Sequence, residues 1–146
     1  MEKFRKMLKD AKGFTLVELL AVIVILGIIA AIAVPSVTGL IERSEEDATI
    51  SNAEQMVEAA RLKVTQDGVS EKTTVSLKEL MTEGYLESGL EDTTGTAYSD
   101  GEVTYNPDAT DISPYSVYLD GTTYDIGTSD SPINANDLDR SIFEEE

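Results

Sequence analysis

The sequence predicts an α+β fold in which a long N-terminal helix packs on a small antiparallel sheet. Three observations predict it. Leu19 to Val34 reads LLAVIVILGIIAAIAV, sixteen residues with no polar side chain. After a charged run, Ile50, Ala53, Met56, Val57, Ala60 and Val64 recur at spacings of three and four, the period of one helix face. The C-terminal half then shows short β-rich runs separated by turn residues, the pattern of an antiparallel sheet.

Length and charge limit the function classes. The chain has 146 residues, room for one domain of typical size plus an appendage. Residues 1–13 hold five basic groups (Lys3, Arg5, Lys6, Lys9, Lys12) against Glu2 and Asp10, a net +3. Everything after them holds six basic and 26 acidic groups, a net −20. Such a body repels phosphate backbones and has no basic cluster, so direct nucleic-acid binding is not expected. With no Cys and no His, disulfides, thiolate metal sites, imidazole bases and serine-type triads are excluded. Paired carboxylates alone would need a substrate cleft that about 80 residues beyond the long helix could hardly build. The chain is not expected to be an enzyme.

Residues 14–41 form the first element. Apolar character from Phe14 to Ile41 is long enough for a membrane span, which needs about 20 residues, and exceeds the roughly 7 to 15 of a cleaved secretory h-region. The basic leader keeps residues 1–13 cytoplasmic and exports the acidic remainder. Glu18 is the only charge between Lys12 and Glu42. The residues alone leave two readings open: an acid at headgroup level, one turn from Phe14, or a costly buried charge that needs a partner. Gly27 and Pro35 loosen the same helix, since Pro removes a backbone donor and Gly costs about 1 kcal/mol relative to Ala in a helix interior.

The run Lys12-Gly13-Phe14-Thr15-Leu16-Val17-Glu18-Leu19-Leu20 resembles the prepilin peptidase site of type IV pilins and type II secretion pseudopilins, and identifies a prepilin with a class III signal peptide. The resemblance covers about residues 8–45. It implies a leader, 1–13, that is cut between Gly13 and Phe14, and N-methylation of Phe14. Glu18 falls at the fifth mature position, where it would pair with the amine of a neighbouring subunit's Phe14. That pairing turns a misplaced charge into an assembly register, because an unpaired charge in low dielectric is penalised strongly. Gly27 and Pro35 fall where such proteins often carry a helix-loosening Gly and Pro. The fold implied is the pilin fold.

Residues 42–66 are expected to continue as the amphipathic helix of the head. Glu42 to Asp47 (ERSEED) brings the chain into water, and Arg43, isolated among acids, is either solvated or bridges to a neighbour. A helix from Phe14 to about Gln66 would be about 80 Å long. Gly68 is expected at its C-terminal cap. Residues 67–146 form the globular head. Within it, Thr74 to Leu80 reads as a short helix with Ser76 as N-cap and Glu79 as its capping-box partner, closed by Gly84-Tyr85-Leu86. Strands are expected at Glu102–Tyr105, Tyr115–Leu119 and Thr122–Ile126, the last two joined by a two-residue Asp120-Gly121 turn. Val117 and Leu119 should cover the helix, with tyrosines on the other side. Residues 127–146 read as a flexible acidic tail. Asp130, Asp137 and Asp139 are its weak candidates for a hard-cation site such as Ca2+, which takes six to eight oxygen ligands. Ser129-Asp130-Ser131 with Asn136-Asp137 resembles the calcium loop of major pseudopilins only loosely.

The resemblance implies the major structural subunit of a type IV pilus filament. Its partners would be further copies of itself, the prepilin peptidase, the inner-membrane assembly platform and the membrane. It would be a single-pass membrane protein before assembly and an extracellular surface filament afterwards. The alternatives are the major pseudopilin of a type II secretion or competence system, and a single-pass anchored binding domain.

Overall fold

The computed structural model describes residues 15–144. The chain divides at Ile41 into two compact units, and helix α1 (Leu16–Asp67) contributes residues to both. In the first unit the large apolar side chains from Leu16 to Ile41 are all exposed among the described residues. This stretch is long and apolar enough to cross a membrane.

The second unit is the head. Its part of α1 buries Ile50, Ala53, Met56, Val57, Ala59, Ala60 and Val64, the stripe that the spacing of three and four predicts. The helix stops at Gly68, whose φ of 64° only glycine adopts without strain. Val69 N–H donates to the Val64 carbonyl (3.1 Å) and Gly68 N–H to the Thr65 carbonyl (3.3 Å), the paired bonds of a Schellman motif.

The sheet has four antiparallel strands in the order β1-β2-β3-β4. β1 is Thr73–Ser76, β2 is Asp100–Tyr105, β3 is Tyr115–Asp120 and β4 is Ile133–Asn134. Val75 faces Val103 and Val103 faces Val117 across the strands, and all three are buried with Leu119 and Ile126 in one core with α1. Gly101 lets α1 lie close to β2, for a Cβ there would be 2.8 Å from Leu119 Cδ1 and 3.3 Å from Met56 Cε.

A short helix α2 (Leu77–Thr82) follows β1 directly. Ser76 caps it, its hydroxyl accepting from Glu79 N–H at 3.2 Å. The Glu79 carboxylate lies instead 3.3 Å from Lys63 Nζ, with Asp67 and Glu83 at 3.0 and 2.6 Å. Lys63 is nearly buried, and these carboxylates, Glu83 first, hold its ammonium well above the usual lysine range. The cluster ties α1 to α2. Gly84 (φ 80°) ends α2 with a second Schellman pair, Tyr85 N–H to Leu80 O and Gly84 N–H to Met81 O.

Four expectations are corrected here. Thr74 and Val75 are strand, not helix, because their backbones pair with Thr104 and Val103. Thr122–Ile126 is not a strand and Asp120-Gly121 is not a two-residue turn. Gly121 lacks positive φ, its N–H donates to the Asp125 carboxylate (2.9 Å), and Thr122 N–H donates to Asp92 (3.0 Å). Those amides are therefore taken by acidic side chains, and the ladder resumes only at Leu119 and Ile126, which exchange two bonds of 2.9 Å. Residues 127–144 are folded rather than a loose tail. β4 lies within them, as does a 3-10 turn at Arg140–Phe143, and Ile133, Ala135, Leu138, Ile142 and Phe143 pack on the core. Tyr115 also departs from expectation, lying on the core side with its ring 5.0 Å from that of Tyr105.

Candidate functional site

The chemistry expected of the sequence concentrates at the start of α1. Gly13 and Phe14, the expected cleavage and methylation positions, lie outside the described residues, as does the 1–13 leader. Glu18 is described, and its carboxylate is engaged. Glu18 Oε2 accepts from Thr15 N–H (2.9 Å) and from the Thr15 hydroxyl (3.0 Å), while Thr15 Oγ1 accepts from Glu18 N–H (3.2 Å). This is a reciprocal capping box, with Thr15 as N-cap and Glu18 three residues on. An acid there also complements the positive end of the helix dipole. The T-x-x-E spacing is visible in the sequence, yet a reading that treats Glu18 only as a pairing charge passes over it.

Gly27 and Pro35 both sit inside the continuous helix. Nothing lies within 4 Å of where a Gly27 Cβ would be, so no contact within the chain requires a glycine there. Pro35 has no N–H to offer the Ala31 carbonyl four residues earlier. The Thr38 hydroxyl turns back to the Val34 carbonyl at 3.0 Å. The arrangement is an apolar helix, capped through one carboxylate, with one position, Pro35, that offers no backbone donor. An apolar surface of this extent is stable only in lipid or against other protein.

The expected cation ligands do not converge. Asp139 caps the 3-10 turn, with Ser141 N–H donating to it at 2.8 Å, and the Ser141 hydroxyl and amide hold its carboxyl below the usual range. Asp130 lies in the turn closed by Thr128 and Ser131, and Asp137 follows β4. Among the described residues no group of three acidic side chains is placed to hold a metal ion.

Where the head begins, Asp47 takes both Nε and Nη2 of Arg140, with Nε at 2.7 Å. The guanidinium holds the Asp47 carboxyl below its ordinary value. Tyr124 and Phe143 meet edge to face beside it, with centroids 5.2 Å apart. The C-terminal turn is thereby fastened to α1, a fixture that the sequence does not advertise because its partners are 93 residues apart. Arg43 is not among the ion pairs of the described residues.

The family model of the prokaryotic N-terminal methylation motif matches residues 8–34. A fimbrial protein of Pseudomonas aeruginosa is 34% identical over 104 residues, which cover 70% of this chain and 66% of that protein. The type IV major fimbrial protein FimA of Dichelobacter nodosus is 49% identical over 45 residues, 31% of this chain and 29% of that protein. The chain thus spans just under two thirds of the first relative and under one third of the second. No solved structure matches.

Proposed function

We propose that this chain, a homologue of type IV fimbrial proteins that carries a prepilin methylation motif, is the major structural subunit of a type IV pilus. The prepilin peptidase cuts between Gly13 and Phe14, Phe14 is N-methylated, and the subunit waits in the membrane until the inner-membrane assembly platform adds it to a surface filament. The observation that carries this reading is the stem itself, whose large apolar side chains are exposed from Leu16 to Ile41 behind one acidic residue.

The capping box supports a sequence of events at Glu18. In the isolated chain its carboxylate is satisfied by Thr15, which lowers the cost of an acid near hydrocarbon. In the filament the methylated amine of an incoming copy's Phe14 pairs with it. A copy out of register would leave both charges in low dielectric, so misplacement is penalised more than placement is rewarded. Gly27 and Pro35 let the stem adjust as it leaves lipid for the filament core. Similarity to fimbrial proteins favours a pilus over a pseudopilus.

The test is the mass of the mature N-terminus together with electron microscopy of sheared filaments. Cleavage before a methylated Phe14 and filaments built of this chain are expected. An intact leader would overturn the reading in favour of an anchored binding domain. Glu18→Val should leave cleavage and membrane insertion intact and reduce filament yield to a small fraction of normal; undiminished yield would remove the pairing role.

A further inference from the structure

Beyond the stem, the described head exposes two large aliphatic side chains, Leu62 (63% exposed) and Ile112 (93% exposed). Ile112 stands near the end of the loop that joins β2 to β3. The loop is braced: Asn106 N–H donates to the Pro114 carbonyl (2.8 Å), Ala109 N–H to the Asn106 carbonyl (3.1 Å), and Pro107 and Pro114 fix two φ angles. A braced loop presents its side chains at low entropic cost on binding. Leu62 lies in an apolar groove of about 610 Å3 lined by Arg61, Thr65, Gln66, Gly84 and Tyr85, in which Arg61 is the only charge.

The two features are separate patches. Arg61 borders the groove with Gly84 and Tyr85. It also borders a cleft with Ser113, the neighbour of Ile112, and with Ala135 and Leu138. A single copy therefore presents knob and groove as two distinct surfaces. Charge is complementary as well. Ile112 follows Asp111, and Leu62 follows Arg61, whose guanidinium lies over the Tyr115 ring (5.3 Å to its centroid) and whose ion-pair partner Glu58 at 3.0 Å is itself exposed and cheaply exchanged.

We propose that Ile112 of one copy seats in the Leu62–Tyr85 groove of the next, with Asp111 facing Arg61. This inference rests on the filament reading above and adds to it a second contact, between heads. Such a contact uses two different patches, so it is head-to-tail and does not close on itself unless the rotation happens to complete a ring. Repeated, it generates an open helical array.

The chain has no Cys, so introduced thiols report on this contact alone. A disulfide requires Cβ atoms within about 4.5 Å. Full-length chain carrying both Leu62→Cys and Ile112→Cys, assembled and then mildly oxidised, should give a denaturation-resistant ladder of dimers, trimers and longer species. Either substitution alone should stay monomeric. Filaments that are normal by microscopy but give no ladder would overturn the head contact while leaving the filament reading standing. Dimers from Ile112→Cys alone would also overturn it, since they require two loops to meet symmetrically. Absence of any filament from the unaltered chain would overturn both.

Discussion

Asp92 shows how one carboxylate can hold loops together where the chain has few apolar residues to use. It is buried, and it accepts from Thr94 N–H and hydroxyl (2.9 and 2.6 Å), from Thr96 N–H (3.0 Å) and, across 30 residues, from Thr122 N–H (3.0 Å). Thr122 first, then Thr94 and Thr96, hold its carboxyl far below the usual carboxylate range. The sign follows from linkage. A depressed folded value means that the native state prefers the charged form, so the stabilisation is complete above the ordinary value of about 3.9 and is lost as pH falls through the folded value. Asp92→Asn should therefore melt at a lower temperature than the parent at neutral pH, and the gap should close on acidification below about pH 4. Thermal melts followed by circular dichroism would show this; a gap that does not change with pH would mean that Asp92 acts through shape alone. The D-T-T-G-T run carries turn chemistry of its own, since Asp and Gly at those positions favour a turn, although a reading by helix and strand periodicity passes over it. Its link to Thr122 was not readable, because nothing local in sequence couples residues 30 apart. The same division holds at the stem, where T-x-x-E announces a cap while the partner that Glu18 would meet in a filament belongs to another copy.

At the scale of elements, local chemistry was legible and competition between elements was not. Gly68 and Gly84 end their helices as their sequence context demands, and Ser76 caps α2. Residues 73–76, however, serve both as strand and as approach to a helix, and propensity alone does not divide Thr-Thr-Val-Ser from Leu-Lys-Glu-Leu. Pairing with β2 decides it. The Asp120-Gly121 dipeptide fails as a hairpin for the opposite reason: Asp125 takes the Gly121 amide and Asp92 that of Thr122. Gly101 carries information of another kind. As a strand residue it should weaken β2, yet it sets how near α1 can come to the sheet. Gly101→Val should force Met56 and Leu119 apart and destabilise the head by about 1 to 3 kcal/mol, as overpacking generally does. Denaturant unfolding of the full chain in detergent would measure it. No loss of stability would mean that α1 can shift outward freely, and that the close approach has no energetic role.

The whole molecule combines an apolar stem that carries a single acidic side chain with a strongly acidic head. The chain's net charge is −17, and removal of residues 1–13 would take it to −20. Polymerisation brings such heads side by side, and their repulsion opposes the attraction of the stems. Apolar burial depends little on dilute salt, whereas repulsion between exposed charges depends on it strongly. The Debye length shrinks from about 30 Å at 0.01 M to about 8 Å at 0.15 M ionic strength. Filaments of this chain should therefore shorten in low salt and lengthen or bundle when salt is restored. Acidification that protonates head carboxylates should act in the same direction as added salt. Sucrose at matched osmolality should leave repulsion in place and so not reproduce the effect of salt at low concentration. Length distributions measured by electron microscopy across a sodium chloride series would test this. Lengths that stay constant from 0.01 to 0.15 M would show that head charges are kept farther apart than a Debye length in the filament, which is incompatible with an Ile112 contact between adjacent heads.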